Sequence, residues 1–281
     1  MIKFCLAVRC KDGYQFWPMK ISVITPNFNG GRFLEETIQS VVSQRRDGAE
    51  VEYILVDGKS TDNSADIINK YLNDISCVIS EKDTGPANAI NKGLRKATGD
   101  VVCWLGSDDK YYPGALKRVS EIMEANPDKA LCFGHCPIVN EMGQEIRVGI
   151  TRFKEFFFPI SSRFTIQCIN YISQPAMFFR RTALEKAGLL REDLKCAWDY
   201  DLILRLWREG GAVRVRNPPL SSFRWHESSI SGRHFRVQFK EEWDAAVADA
   251  GLFSLQSLLH LGVRWGIVWS YLMMARLRMK K

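Results

Sequence analysis

Four short apolar runs alternate with amphipathic segments in the first half of the chain. The run at residues 101–105 is continuously apolar, as expected for a strand buried on both faces of a parallel sheet. The runs lie at residues 21–25, 51–56, 77–79 and 101–105. The segments between and after them carry apolar residues at helical spacing, or start and stop signals of helices. These helices are predicted around residues 34–42, 64–72, 87–97 (closed by Gly99) and 113–125.

This alternation of strands and helices predicts a parallel sheet with helices on both faces. In such sheets ligands bind outside the carboxyl ends of the strands. Polar residues stand at four consecutive carboxyl ends, and we expect them to form a functional cleft rather than four separate solvated turns. They are Thr25, Asn27, Asp57, Asp83, Asp108 and Asp109.

The second half has weaker patterns. Strands are predicted within residues 129–133 and 136–139, and residues 174–180 predict a strand that leads into a helix ended by Gly188. The aromatic residues 153–158 show no period, and we expect a loop covering the core, with an acceptor-binding lid as the alternative. Asp199 and Asp201 open an apolar helix, where acidic residues commonly cap and stabilise the positive end.

Charge and cysteine usage restrict the class of protein. The net charge is +7, but the ends carry it: residues 251–281 hold five basic residues and no acidic one. A nucleic-acid-binding protein would carry a basic stripe through its folded body, so we expect no nucleic-acid partner. The eight cysteines lie mostly in apolar runs, which indicates reduced thiols in a cytoplasmic protein.

The predicted cleft also suggests its ligand. The chain contains neither a dinucleotide-binding glycine motif nor a Walker loop. A rim of carboxylates repels phosphate unless a divalent cation lies between them, and Mg²⁺ or Mn²⁺ suits such oxygen ligands. Asp57 and Asp83 could instead accept hydrogen bonds from a base or from ribose hydroxyls. The ligand implied is a nucleoside diphosphate bound through a metal ion.

Several motifs together resemble family 2 glycosyltransferases of the GT-A fold. They are Thr25-Pro26-Asn27-Phe28-Asn29, residues 56–62, Asp83-Thr84-Gly85 with Asn91-Lys92-Gly93, and residues 97–100 leading into Ser107-Asp108-Asp109. The resemblance implies a Rossmann-like, mostly parallel sheet flanked by helices and a nucleotide-sugar donor, usually UDP-linked. It also implies donor-binding roles for Thr25, Pro26, Asn27, Asn29, Asp57, Asp83, Lys92, Ser107 and Asp108.

The same resemblance assigns the metal and the base. Asp108 would coordinate Mn²⁺ or Mg²⁺ with Asp109 beside it, and His226 would contact the metal or the diphosphate. Position 106 is Gly where many members have an acidic residue. Asp199 would be the general base of an inverting transfer to an acceptor hydroxyl, although Trp198 replaces the usual acidic neighbour.

These inferences divide the chain into three regions. Residues 1–18 would be an accessory or misassigned extension, and residues 19–234 a glycosyltransferase domain with a nucleotide-sugar half at 19–112 and an acceptor half at 113–234. Residues 235–281 would be a helical region. Within it, residues 252–281 carry Trp265, Trp269, Tyr271 and a basic end, which favours an anionic membrane surface over docking on the protein.

The activity predicted is metal-dependent transfer of a sugar to a glycan or lipid-linked glycan in cell-surface polysaccharide synthesis, in the cytoplasm or peripherally on the cytoplasmic face of the membrane. A sugar nucleotidyltransferase is one alternative, since it also uses a parallel sheet and a metal. A non-catalytic scaffold that binds nucleotide-sugar is another, because Gly106 and Trp198 depart from the family pattern.

Overall fold

The computed structural model describes residues 8–10, 13–15, 19–227, 229 and 234–278. Its strands are short, and most lie where an apolar run predicts one. They are β1 Val8–Cys10, β2 Gly13–Gln15, β3 Ile21–Asn27, β4 Val51–Asp57, β5 Cys77–Ser80, β6 Val101–Trp104, β7 Lys110–Tyr111, β8 Leu131–Phe133, β9 Ile138–Val139, β10 Met177–Arg180, β11 Ala212–Arg214 and β12 Ser221–Arg224.

Helices follow most of these strands. They are α1 Gly31–Val42, α2 Ser64–Lys70, α3 Pro86–Lys96, α4 Ala115–Ala125, α5 Val148–Phe156, α6 Arg163–Cys168, α7 Arg181–Ala187, α8 Trp198–Arg208, α9 Phe235–Ala250 and α10 Leu255–Arg278. Short 3-10 turns lie at Ser43–Arg45, Phe158–Ile160 and Gln174–Ala176.

Seven strands form the central sheet in the order β11-β8-β10-β6-β3-β4-β5. Strand β3 pairs in parallel with both β4 and β6, and β4 pairs in parallel with β5. Only β10 runs against its neighbours β6 and β8, whereas β11 is parallel to β8. The predicted mostly parallel sheet is therefore confirmed, and its parallel strands end at one edge.

Both faces of this sheet are buried, which explains the continuous apolar runs. Val23 and Cys103 pack into one hydrophobic cluster, whereas Ile24 and Val102 pack into the other. Successive residues of a strand point to opposite faces, so a strand between two helical layers needs an apolar residue at every position. All six cysteines whose side chains are described are free thiols.

A second sheet lies at the edge of the candidate site. Strand β12 pairs antiparallel with β7 and parallel with β9. This arrangement brings residues 221–224 beside Lys110 and Tyr111, directly after the turn that contains Asp108 and Asp109. The small sheet thus joins the end of β6 to a segment more than one hundred residues later.

Two local expectations need correction. Gly99 does not cap helix α3, which ends at Lys96 with Ala97 in an extended conformation. A Cβ on Gly99 would lie 2.7 Å from the carbonyl oxygen of Lys20, so this glycine permits a close approach of two backbones. Helix α2 also ends earlier than predicted, at Lys70.

The aromatic stretch at residues 153–158 is mostly helical rather than a loop. It belongs to α5 and to the following 3-10 turn. Phe158 is buried, but Phe153 and Phe156 are exposed, and this mixture removes the periodicity that would have predicted the helix. The segment packs on the core through Phe158, which lies edge-on to Phe133.

Helices α9 and α10 form the C-terminal part of the described chain. Helix α10 contacts α6, and the Nδ1 atom of its His260 lies 3.0 Å from the carbonyl oxygen of Gln167. Apolar residues of α10 nevertheless stay exposed, among them Leu258 and Trp265. None of the helices in the described part of the chain is long and apolar enough to cross a bilayer. The predicted extension at residues 1–18 lies largely outside the described residues, apart from the paired strands β1 and β2.

Candidate active site

A cavity of about 1110 Å³ lies at the carboxyl ends of the parallel strands. Segments from both halves of the chain line it, including the turns after β3, β4, β5 and β6, the start of α8, and α9. Of the predicted site residues, the lining includes Pro26, Asn27, Asn29, Asp83, Ser107, Asp108, Asp199 and His226. The topology therefore brings the predicted donor, metal and base residues into one cavity.

Asn27 ends strand β3 and has one oxygen without a protein partner. Its Nδ2 donates to Asp57 Oδ1 at 2.8 Å and to Ser60 Oγ at 3.1 Å. These bonds fix the orientation of the amide, and they leave Oδ1 buried without a hydrogen bond. A buried acceptor without a partner is costly, so this oxygen is available to a ligand that donates a hydrogen bond.

Asp83 lines the same cavity. Its Oδ1 accepts a hydrogen bond from the backbone N–H of Gly85 at 3.0 Å. Its Oδ2 approaches Gly58 so closely that a Cβ there would lie 2.3 Å from it. Glycine at position 58 therefore gives Asp83 its place beside the end of β4.

Three predicted donor contacts support the cavity without lining it. Thr25 is fully buried, and its Oγ1 lies 3.1 Å from the hydroxyl of Tyr53. Asp57 accepts hydrogen bonds from Asn27 and from the backbone of Ser60. Lys92 donates to the carbonyl oxygen of Lys82 at 2.6 Å. We therefore assign Thr25, Asp57 and Lys92 to holding the cavity walls.

Asp108 and His226 face each other in the cavity. Their Oδ2 and Nε2 atoms are 2.9 Å apart, although the residues are 118 positions apart in the chain. Arg224 places both segments, because its Nε donates to the carbonyl oxygen of Asp108 at 2.8 Å. Its side chain is 2% exposed and also pairs with Glu36 at 2.7 Å. A carboxylate and an imidazole are thus held together by a buried arginine.

Asp109 does not fit the predicted role of metal ligand. Its carboxylate is 4% exposed, is not part of the cavity lining, and accepts a hydrogen bond from the backbone N–H of Arg224 at 2.8 Å. Burial, and next the charge of Asp108, raise the pKa of Asp109 well above its ordinary value. We therefore assign Asp109 to joining the turn after β6 to strand β12.

The described residues contain no group of three or more side chains that could hold a metal ion by themselves. Asp108 and His226 supply two ligand atoms, and Gly106 beside them adds no side chain. Mg²⁺ and Mn²⁺ commonly take one or two protein ligands and complete their coordination with substrate phosphates and water. The donor set fits a metal that binds together with a diphosphate.

Asp199 lies in the first turn of helix α8 and lines the cavity. Its Oδ1 accepts the backbone N–H of Tyr200 at 2.8 Å. Burial raises the pKa of Asp199, so its carboxylate is more basic than that of an exposed aspartate. Asp201 is different, since its Oδ2 binds Arg205 at 2.8 Å and thereby stabilises the helix.

Several residues that line the cavity were not among the predicted site residues. Phe28 is 65% exposed at the cavity, and an exposed aromatic residue after a strand was the available signal. Lys154, Asn170 and Gln238 also line it. They come from segments without a motif, and only the packing of α5, α6 and α9 brings them to the cavity.

The chain belongs to the family described as glycosyl transferase family 2, whose model matches residues 22–188. It is 38% identical over 214 residues to an uncharacterized glycosyltransferase of Nostoc sp., covering 74% of this chain and 65% of that protein. It is 28% identical over 204 residues to the poly(ribitol-phosphate) beta-N-acetylglucosaminyltransferase TarS of Staphylococcus aureus, covering 70% of this chain and 34% of TarS. The chain thus spans less than two thirds of each of these relatives.

Solved structures confirm the GT-A fold. TarS 1–349 in complex with UDP-GlcNAc aligns with a TM-score of 0.67 and 20% identity, covering 84% of this chain and 68% of that chain. A mannosyltransferase from Pyrobaculum calidifontis in complex with GDP-Man and Mn²⁺ aligns with a TM-score of 0.62 and 17% identity, covering 90% of this chain and 75% of that chain.

Proposed function

We propose that this chain is a metal-dependent, inverting glycosyltransferase that moves a sugar from a nucleoside-diphosphate sugar to an acceptor hydroxyl. One observation carries the proposal: the Asp108–His226 pair and Asp199 line the same cavity. A leaving diphosphate needs positive charge, and an attacking hydroxyl needs a base. In this cavity the Asp108–His226 pair could hold a cation beside the diphosphate, and Asp199 could act as the base.

The donor would lie against the turns after β3, β4 and β5. Asn27 Oδ1 is free to accept a hydrogen bond, and Asp83 lines the wall next to it. Ribose hydroxyls and a base N–H are donors that suit these oxygens. Phe28 supplies an exposed ring for stacking on a base. The TarS structure holds UDP-GlcNAc, which supports a UDP-linked donor for this chain.

Asp108 and His226 would hold the metal, which we propose to be Mn²⁺ or Mg²⁺. When bound, the ion would offset the charge that develops on the diphosphate. The rest of the reaction depends on the residues of this chain. Asp199 takes the proton of the acceptor hydroxyl, whose oxygen attacks the anomeric carbon from the face opposite the diphosphate. The bond to the diphosphate breaks as the new glycosidic bond forms, so the anomeric configuration inverts.

The acceptor would enter beside Asp199, Lys154 and Asn170, which line the cavity and come from the second half of the chain. TarS is named as acting on poly(ribitol-phosphate), a cell-wall polymer. We therefore propose a glycan or lipid-linked glycan of the cell surface as the acceptor, and the cytoplasm or the cytoplasmic face of the membrane as the place of transfer.

The decisive experiment measures nucleoside-diphosphate release from UDP-, GDP- and dTDP-sugars with Mn²⁺ or Mg²⁺. The wild type is compared with Asp199→Asn and Asp108→Asn, and UDP binding is measured for each by calorimetry. We expect release from one donor class, strong loss in both variants, and loss of metal-dependent UDP binding only in Asp108→Asn. An NMR time course should show inversion.

Each alternative activity predicts a different result. A sugar nucleotidyltransferase would consume a nucleoside triphosphate and release pyrophosphate. A non-catalytic scaffold would bind UDP without turnover in the wild type. If no nucleotide binds with or without metal, the cavity is not a donor site and the proposal is wrong.

A further inference from the structure

Asp199, the candidate base, has no acidic neighbour at position 198 of its own helix. The residue before Asp199 is Trp198, which lines the cavity but carries no carboxylate. Helix α8 starts after Ala197, whose side chain makes no capping hydrogen bond. Asp199 accepts the N–H of Tyr200 within the first turn, whereas the backbone N–H groups just before the helix need partners from another segment.

Glu241 of helix α9 accepts hydrogen bonds from three backbone N–H groups of the turn that leads into helix α8. Its Oε1 accepts from the backbone N–H of Lys195 at 2.9 Å, and its Oε2 accepts from those of Cys196 at 2.8 Å and Ala197 at 3.0 Å. A carboxylate at a helix N-terminus also interacts favourably with the helix dipole. The turn that leads into Asp199 is therefore fixed by a side chain more than forty residues later.

Glu242, the next residue, lies behind the cavity wall and is 5% exposed. Its Oε1 accepts hydrogen bonds from Asn170 Nδ2 and Gln238 Nε2, each at 3.1 Å. Asn170 and Gln238 both line the cavity. Because Glu242 holds the amide nitrogen of Asn170, the Oδ1 of Asn170 is left buried without a partner. That oxygen is the polar atom which the amide can still offer to a ligand.

Glu242 interacts electrostatically with Asp199, the candidate base. Among the described residues it forms no ion pair, and the charged groups that act on it are those of Asp199 and Lys154. Burial raises the pKa of Glu242 to about 7, and the charge of Asp199 adds to this rise. The neighbouring residues Glu241 and Glu242 thus contact two different segments. Glu241 binds the turn before Asp199, and Glu242 binds the cavity residues Asn170 and Gln238.

We infer that Glu241 and Glu242 are positioning residues for Asp199, and that helix α9 supplies the acidic support which position 198 does not provide. Glu241 fixes the turn that carries the base, and Glu242 orients Asn170 and Gln238 toward the attacking hydroxyl. This inference rests on the proposed function. It places part of the transfer machinery outside residues 22–188, which the family model matches.

The test uses four variants of the full chain. Glu241→Ala removes the three backbone hydrogen bonds, Glu242→Ala removes the two amide hydrogen bonds, and Glu242→Gln retains a side-chain oxygen that accepts them. Asp244→Asn is the matched control, because Asp244 lies exposed on the same helix and pairs with Lys240. Two quantities are measured: the affinity for UDP with Mn²⁺ by calorimetry, and the maximal rate of UDP release from UDP-GlcNAc, or from the donor that the panel identifies.

We expect both alanine variants to lose roughly tenfold or more in maximal rate, because small displacements of a base are costly, while UDP affinity stays within about twofold of the wild type. Glu242→Gln should recover most of the rate. The wild-type rate should also show an inflection near pH 7 that Glu242→Gln lacks. The control should match the wild type.

Two results would overturn the inference. One is an alanine variant with the wild-type rate; the other is a loss of rate that only parallels a loss of UDP affinity. Either result, together with inactivity of Asp199→Asn, would leave the proposed function standing. Absence of turnover in the wild type with every donor would instead remove the proposed function, and this inference with it.

Discussion

Replacing Glu242 with Gln should change how stability depends on pH. Burial raises the pKa of this carboxyl from 4.5 to about 7. A group whose pKa is higher in the folded state contributes stability while it is protonated, and that contribution is lost as the pH rises from about 4.5 through about 7. Each pKa unit corresponds to about 1.4 kcal/mol, so the loss amounts to about 3 kcal/mol. Glutamine does not titrate and avoids this loss.

The assay is urea unfolding of the wild type, Glu242→Gln and the control Asp244→Asn at pH 5 and pH 8. Relative to the wild type, Glu242→Gln should gain about 2.5 kcal/mol in unfolding free energy between these pH values, because part of the loss has already occurred at pH 5, and the control should gain almost nothing. The titratable groups that face Glu242 stay the same in all three proteins. They are Asp199, Tyr200, Cys196 and Lys154. If the unfolding free energies of Glu242→Gln and the wild type differ by the same amount at pH 5 and pH 8, the argument that burial raises the pKa of Glu242 is wrong.

Three further predictions concern the donor wall, the metal and the C-terminal helix. Gly58→Ala places a Cβ 2.3 Å from Asp83 Oδ2, so UDP affinity by calorimetry should fall roughly tenfold. Gly149→Ala, with no atom within 4 Å of its new Cβ, should leave that affinity unchanged. Asp108→Asn should abolish the Mn²⁺ dependence of UDP binding, and persistence of that dependence would exclude the Asp108 site. Trp265 is 64% exposed, so Trp265→Ser should weaken binding to anionic liposomes about fivefold if α10 lies on membranes, and equal binding would contradict that role.

The parallel half of the fold was predictable because its pattern is local. A strand buried on both faces needs a continuous apolar run, and the runs around Ile24, Ile54 and Val102 have no other simple explanation. Because these strands are parallel, their carboxyl ends must lie at the same edge of the sheet. This argument places Asp83 and Asp108 at the cavity, and both residues line it.

The orientation of other side chains could not be predicted from the sequence, because a distant contact determines it. Asp108 and Asp109 are neighbours in sequence, yet only the backbone N–H of Arg224 decides that Asp109 points away from the cavity. Thr25 is polar and stands at a strand end, but Tyr53 on the next strand occupies its hydroxyl. A residue type and a position near a strand end do not determine which way a side chain points. Its partners determine that.

The residues of the candidate site come from two parts of the chain, and this division explains which of them could be predicted from the sequence. Residues 22–188, which match the family model, supply the turns of the donor wall and Asp108. Asp199 comes from the segment after residue 188, and so do the side chains that hold both ends of the cavity. Arg224 holds the Asp108 turn, and Glu241 holds the turn before Asp199. The proposed donor wall is therefore formed by the ends of local strands, whereas the geometry of the proposed acceptor side depends on contacts between segments that are distant in the sequence.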